Sequence, residues 1–282
     1  MRNKPFQNLE PGTGATDDLS LRVSVAALVR LLVKHAHEDR LLLALERRAT
    51  LHTTPNGDVV AIKSQPFGGA LRIHELAPLQ NLIGDFHFDS EQSHEERDFR
   101  LFIRPSAWGA LRAFCVEHLT QPNDPVLESD PTRELAEEIE ETLEIQLKRD
   151  QYILQAVGML VEDEPSATEN ISARGYPTTR IYRIFEARIL DSVLASAMLN
   201  NNENCSDQDL QELALQEFQK GGQGTANAVL TLPWNEITSL YLATPFEARN
   251  SPVWFHGHQL DETVAAVLED VSVPKYRRVE ES

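Results

Sequence analysis

The chain has 282 residues, enough for one large domain or two small ones. Hydrophobic residues make up 41% of it and charged residues 25%, the proportions of an ordinary globular protein. The formal net charge of −18 argues against a nucleic-acid partner, because contacts to a phosphate backbone need clustered lysine and arginine. The longest apolar stretch, residues 23–33, is interrupted by Arg30 and is too short to span a bilayer, so no membrane association is expected.

Two cysteines, Cys115 and Cys205, form neither a metal-ligand spacing nor a disulfide framework. A reducing compartment is the simplest setting for such a chain, and we expect a cytoplasmic protein. The first twenty residues are polar and do not have the pattern of a signal peptide.

The N-terminal part of the chain predicts a flexible tail and then a series of strands. Residues 1–18 have the composition of a tail. Apolar and β-branched runs predict strands at 21–33, 41–45 and 59–62, with turns at 37–39 and 55–58. A glycine pair, Gly68-Gly69, follows the third strand and permits a backbone bend that larger residues would strain.

Residues 76–129 have a pattern of their own. Apolar clusters at 82–88 and 99–103 predict two strands of a hairpin, and Ser106 is predicted to cap an amphipathic helix that continues to about Leu119. Arg97, Arg100 and Arg104 are either phosphate-binding residues or ordinary surface charges.

An acidic helix is predicted over residues 131–147, because Asp130 is a good N-cap and Pro131 suits the first helical position. One face carries an apolar stripe of four residues: Leu135, Ile139, Leu143 and Leu147. The other face carries four glutamates at i, i+3, i+4 and i+7: Glu134, Glu137, Glu138 and Glu141. Like charges repel at this spacing, so the pattern indicates either a divalent cation among the carboxylates or a solvated acidic face.

Beyond this helix, strands are predicted at 152–161, 180–189 and 226–232, helices at 206–219 and 261–268, and a polar C-terminal tail at 271–282. The irregular alternation predicts an α/β fold in which helices cover both faces of a mixed sheet. We expect one domain over residues 19–270, with residues 76–129 as an insertion.

Residues 133–138, Arg-Glu-Leu-Ala-Glu-Glu, resemble the core of the Nudix box. In that family a glycine, five residues and a glutamate come seven residues before the arginine. Gly69 and Glu75 match the first half, but residues 76–132 stand before Arg133, so the box is split by an insertion of about 50 residues. The family's glycine after the glutamate pair falls on Glu140, and its next aliphatic residue falls on Glu141, so the helix is expected to continue where the family's helix stops.

The resemblance implies an α/β/α sandwich and a hydrolase that cleaves the pyrophosphate of a nucleoside diphosphate linked to another moiety. It also implies Mg²⁺ or Mn²⁺, held by Glu134, Glu137 and Glu138 with help from Glu75. Nudix relatives often dimerise, so a homodimer is a further expectation.

The same resemblance implies roles for the neighbouring residues. Arg133 would orient the glutamates, forming the catalytic set with Glu137 and Glu138, and Gly68-Gly69 would contact the substrate. The family often takes its general base from a later loop, and five acidic residues remain open: Glu162, Asp163, Glu164, Glu212 and Glu217.

Other interpretations compete with the hydrolase. A catalytically weak or inactive Nudix-fold module could bind a nucleotide ligand or a protein partner as a sensor. An acidic structural protein without a ligand ranks last. His256 and His258 would lie on one side of a strand, but no partner ligands of zinc spacing follow them.

Overall fold

The computed structural model describes residues 19–35, 40–54, 57–168 and 175–279. Within these ranges the chain is an α/β protein in which eight α-helices pack on a curled, mixed sheet of eleven strands. The predicted α/β class with a mixed sheet is therefore confirmed. The predicted N-terminal tail (1–18), the predicted turn at 37–39 and the first half of the turn at 55–58 lie outside the described residues.

The elements follow one another in irregular order. The strands are β1 (Leu21–Lys34), β2 (Leu41–Thr54), β3 (Gly57–Gln65), β4 (His87–Phe88), β5 (Arg100–Ile103), β6 (Tyr152–Glu162), β7 (Thr178–Ile189), β8 (Thr225–Pro233), β9 (Val253–Phe255), β10 (His258–Leu260) and β11 (Tyr276–Val279). The helices are α1 (Leu76–Ile83), α2 (Glu91–Glu96), α3 (Trp108–Leu119), α4 (Thr132–Leu143), α5 (Ser192–Asn204), α6 (Asp207–Gln219), α7 (Trp234–Ala243) and α8 (Val264–Val267). None of the described helices is both long and apolar enough to cross a membrane.

The central strand is β1, which is buried along nearly its whole length. Successive side chains of a strand point to opposite faces, so such burial requires cover on both sides. One face of β1 packs in the clusters that contain α3, α4 and α5, through Val23, Val25, Ala27, Val29, Leu31 and Val33. The other face packs in the cluster that contains α7 and α8, through Ala26, Leu28 and Leu32. The sheet is thus the middle layer between helices.

The glycine pair lies where the sheet divides. Strand β2 has two neighbours along one of its edges: residues 41–44 pair with β1, and residues 46–54 pair with β3. Strand β8 pairs along the other edge of β2. After β3 the chain crosses to β1, where Phe67 bridges Val29 and Ala70 bridges Ala26. Gly68-Gly69 therefore runs beside β1, in the gap between β5 and β2.

The segment predicted as an insertion, residues 76–129, begins and ends side by side in the structure. Ile73 bridges Leu127, and the N–H of His74 donates to the carbonyl of Val126 at 2.8 Å. We call these residues the neck. Between them the predicted hairpin (β4 with β5) and helix (α3) are present, together with α1 and α2, which were not predicted.

Two details of the predicted insertion are wrong. Residues 82–88 are not one strand, because α1 continues to Ile83 and only the two residues of β4 pair with β5. Ser106 does not cap α3: it lies in a 3₁₀ turn, and the helix begins at Trp108 without a side-chain cap. The hairpin also extends the main sheet, since β5 pairs with β1 from Leu21 to Ser24.

Residues 271–279 are not the polar tail predicted from the sequence. Val271 and Val273 are buried, and β11 pairs antiparallel with β6. The sequence predicted a polar tail here because Arg277 and Arg278 are charged, but an edge strand is exposed to solvent and can carry such residues. Residues 280–282 lie outside the described ranges.

Candidate carboxylate site

Helix α4 is held to the sheet by its apolar stripe. Leu135 and Ile139 are fully buried among residues of β1, β7 and α5, and Leu143 packs beside them. At the start of the helix, Asp130 accepts a hydrogen bond from the N–H of Thr132 at 2.9 Å. The helix continues past Glu140 and Glu141 but ends at Leu143, four residues before the predicted end, because Glu144 adopts a left-handed conformation with φ of 56°.

The two halves of the split motif meet in the structure. The N–H of Gly68 donates to a carboxylate oxygen of Glu138 at 2.5 Å. Gly69 lies so close to the carboxylate of Glu134 that a Cβ atom there would overlap it. Gly68 is required for a different reason: its φ is 124°, and a Cβ would overlap the carbonyl of Ala27 on β1.

Arg133 connects the helix to the rest of the site. Its Nε and Nη2 bind both carboxylate oxygens of Glu128 at 2.9 and 2.7 Å. Its Nη1 contacts Glu134 at 2.5 Å and Glu137 at 2.9 Å, and Nη2 also donates to the carbonyl of Ala70 at 3.2 Å. The contact with Glu137 is the predicted i, i+4 pair. Although burial opposes the charge of Arg133, the hydrogen bonds to Glu128 and the nearby carboxylates raise its pKa.

The two carboxylates beside the glycine pair, those of Glu134 and Glu138, have raised pKa values. Burial, and then the nearby charge of Glu46, raise the pKa of Glu138 well above its ordinary value. Burial also raises the pKa of Glu134 to about 7, despite the opposing contact with Arg133. Asp98 lies close enough for its charge to contribute, and burial raises its own pKa to about 6. The site therefore holds anions that lack full solvation, which favours a proton or a cation there.

Glu46 belongs to this site and was not predicted from the sequence. It lies on β2 with 1% of its surface exposed, and the side chain of Gln65 donates to it at 2.8 Å. Burial is the main reason that its pKa is raised, and the charge of Glu141 adds to the effect. A single carboxylate at the end of the apolar run Leu41–Leu45 was a signal that could have identified it.

Two of the predicted metal ligands, Glu137 and Glu75, are exposed. Half of the Glu137 side chain is exposed, and it pairs with Arg133 and, at 3.8 Å, with Arg72. Glu75 is exposed at the start of α1, and no hydrogen bond or ion pair of its side chain occurs within the described ranges. Glu128, which returns from the other end of the insertion, binds Arg133 instead.

The five residues left open as general base are engaged or exposed elsewhere. Glu162 is buried in an ion pair with Arg180, and Asp163 pairs with Arg112 and Arg277. Glu217 accepts main-chain N–H groups of the loop before β8, Glu212 bonds Gln208, and Glu164 is exposed.

The remaining candidates also have other roles. The Arg97 and Arg104 side chains donate to carbonyls of His74 and Ile83 within the insertion, and Arg100 pairs with Asp98. His256 does not share a strand face with His258, because it lies in the turn between β9 and β10 with φ of 49°.

The donors at the glycine bend suit a hard divalent cation. Glu46, Glu134 and Glu138 offer carboxylate oxygens, the ligands that Mg²⁺ and Mn²⁺ prefer. Burial, and to a smaller extent neighbouring negative charge, raises the pKa of each, and a bound cation would favour their charged forms. Among the described residues, however, no group of three or more His, Cys, Asp or Glu side chains is already gathered at metal-binding separations. The carboxylates therefore suit a divalent cation in their chemistry, but their side chains are not gathered into a ready ligand set.

No family model, curated protein or solved structure matches this chain. The functional assignment accordingly depends on the motif halves and on the geometry that joins them.

Proposed function

We propose that this chain is a Nudix-type hydrolase that uses Mg²⁺ or Mn²⁺ to cleave the pyrophosphate of a nucleoside diphosphate linked to another moiety. One observation carries the proposal. The Gly68-Gly69 bend contacts Glu138 and Glu134 directly, although a long insertion separates the two segments in the sequence. An acidic helix face that served only solubility would have no need of a glycine bend packed against its carboxylates.

Each residue of the site has a role in this proposal. Glu134 and Glu138 would hold the cation, which when bound supplies charge neutralisation and an activated water for attack on phosphorus. Arg133 positions Glu134 and Glu137 from its anchor on Glu128. Glu46, whose pKa is raised chiefly by burial and which has no arginine ion pair within the described residues, is the carboxylate that we assign as the proton acceptor.

Glu137 favours a second candidate function. Its pairs with Arg133 and Arg72 leave it less available to a cation, and no ready three-residue cation group occurs in the described ranges. A catalytically weak module that binds a nucleotide ligand or a protein partner as a sensor would need no complete ligand set.

Turnover measurements separate the two candidates. The protein is incubated with Mg²⁺ or Mn²⁺ and a panel of nucleoside diphosphate derivatives, and the released products are quantified. Glu134→Gln and Glu138→Gln are compared with Glu140→Gln, an exposed residue on the same helix that makes the same change of charge. Loss of turnover in the first two variants alone supports the hydrolase.

Other outcomes decide differently. Cation-dependent nucleotide binding by calorimetry without any turnover supports the sensor. If the protein shows neither nucleotide binding nor turnover, the remaining interpretation is an acidic structural protein.

The setting of the protein is part of the same proposal. Both cysteines in the described ranges are free thiols, and Cys115 is buried, which supports a reducing cytoplasm. We also propose a homodimer, which sedimentation equilibrium of the full chain would test.

A further inference from the structure

Two arginines beside the carboxylate site differ from Arg133 in what their N–H groups contact. A guanidinium has five N–H donors, and those of Arg133 are engaged by Glu128, Glu134, Glu137 and the carbonyl of Ala70. Arg133 therefore has no donor left for a ligand.

Arg72 has donors available. In the described part of the chain its Nη2 lies 3.8 Å from Glu137, which is too long for a hydrogen bond. Its Nε is buried without a hydrogen-bond partner, so the donors open to a ligand are those of the outer amino groups. The backbone is nevertheless fixed, because Arg72 bridges Asp98 and its N–H donates to Glu128 at 2.9 Å. Since 36% of the side chain is exposed, the outer amino groups can reach a molecule arriving from solvent.

Arg48 lies on β2, close in sequence to Glu46. It follows Glu46 by two residues on β2, so both side chains leave the same face of the sheet. It is exposed, and no hydrogen bond or ion pair of its guanidinium occurs within the described residues. Its charge acts on both Glu46 and Glu138 and lowers the pKa of each.

The two arginines would reduce the electrostatic repulsion between this acidic site and a phosphate ligand. A phosphate ligand approaching a site of several glutamates on a chain of charge −18 is repelled. Arginines with open donors, one beside Glu46 in the strand and one beside Glu137, offset that repulsion locally. The planar guanidinium fork also matches the geometry of phosphate oxygens.

We propose that Arg48 and Arg72 bind the phosphate groups of the substrate, Arg48 on the side of Glu46 and Glu138 and Arg72 on the side of Glu137. The ligand class is a compound with two linked phosphates, which can span the carboxylates between the two arginines. On binding, Arg72 exchanges its weak contact with Glu137 for hydrogen bonds to a phosphate oxygen. This inference rests on the proposed function, whose site it completes.

Equilibrium binding of methylenediphosphonate tests the assignment. In this probe a carbon replaces the bridging oxygen of pyrophosphate, so binding is measured without cleavage. Calorimetry is done on the full chain at fixed Mg²⁺ concentration. Arg48→Gln and Arg72→Gln should each weaken binding by about tenfold or more, the usual effect of losing a charge-assisted hydrogen bond.

A matched control is Arg278→Gln, an exposed arginine on β11 at the opposite edge of the sheet, which should bind as the unaltered protein does. Arg72→Lys keeps the charge but loses the fork, and should lie between Arg72→Gln and the unaltered protein. Thermal melting of every variant confirms the fold. If Arg72→Gln does not fold, Arg72→Lys and Arg48→Gln decide the matter.

Two results overturn the proposal: no binding of the probe by the unaltered protein, or equal binding by the arginine variants and the control. Hydrolysis is measured separately. A chain that binds the probe through these arginines but cleaves none of the nucleotide panel retains this inference and loses the proposed hydrolase activity.

Discussion

Glu138 accepts a hydrogen bond from the main-chain N–H of Gly68, a residue 70 positions earlier in the sequence. This contact connects α4 to the segment that runs beside β1. The bend contains Gly68 and Gly69, and an added Cβ atom would meet a different neighbour at each of them. Substitution of Gly68 should therefore disturb the backbone of the bend, whereas substitution of Gly69 should displace the carboxylate of Glu134.

Alanine substitutions at the two glycines should have different effects. Gly68→Ala brings a Cβ against the fixed carbonyl of Ala27 at positive φ, so we expect a loss of about 2–4 kcal/mol in the free energy of unfolding. Gly69→Ala meets only the carboxylate of Glu134, so stability should fall by less while cation-dependent turnover is lost. Urea titration and product release measure the two effects. Equal destabilisation by both changes would contradict this assignment.

Replacement of Arg133 by lysine should destabilise the fold although the charge is kept. Lysine cannot bind Glu128 in a fork while also contacting Glu134, so we expect a loss of about 2–4 kcal/mol. Arg188→Lys, at a mostly exposed arginine, is the control and should change stability by less than about 0.5 kcal/mol. A double-mutant cycle with Glu128→Gln should give a coupling energy on the order of 1–3 kcal/mol. Additive effects would show that the pair is not coupled.

Stability without divalent cations should decrease as the pH rises from about 4.5 to about 7. Burial raises the pKa of Glu134 from 4.5 to about 7, so in this window the folded chain binds more protons than the unfolded chain. The destabilisation from Glu134 is absent below the window and complete above it, up to about 3 kcal/mol. Urea unfolding at a series of pH values measures the slope, which Glu134→Gln should flatten. An identical slope in that variant would exclude Glu134 as the cause.

A divalent cation should raise the melting temperature, and more so at pH 8 than at pH 5. Ligands that bind only the folded state stabilise it, and at pH 5 protons compete for Glu134 and Glu138. Calorimetric scans with Mn²⁺ and with an equal concentration of a monovalent salt measure the difference. Glu138→Gln should reduce the shift and Glu140→Gln should not. A shift that is the same at both pH values would argue against the buried carboxylates as ligands.

Removal of the insertion should prevent folding. β5 pairs with β1, and Val23 and Val25 pack in the same cluster as buried residues of α1 and α3. A chain in which residues 75–125 are replaced by a short glycine-serine linker would expose this apolar surface. We expect insoluble protein, or circular dichroism without a cooperative melt. A monomeric, cooperatively melting product would show instead that the insertion is an accessory module.

The sequence predicted the elements that local patterns encode, and these include most of the site. The acidic helix, the glycine pair and the mixed sheet follow from caps, periodicity and turn residues. Glu46, Glu128 and Arg72 were not predicted, because strand pairing and the closed neck bring them together, and neither is a local property. Glu75 matches the family's spacing from Gly69 and is exposed at the N-terminus of α1, and that spacing alone does not say where the chain goes next.

The closed neck changes how difficult it is to assemble the site during folding. The glycine bend and the acidic helix are far apart along the chain. Once Ile73 and Leu127 have paired, only the few residues between the bend and Ile73, and between Leu127 and the helix, remain to be ordered. The entropy lost on closing a loop grows with the length of the flexible chain, so a folded insertion acts as a short connection. The rate at which the carboxylates reach the bend should therefore follow the folding of the insertion itself, rather than the number of residues it contains.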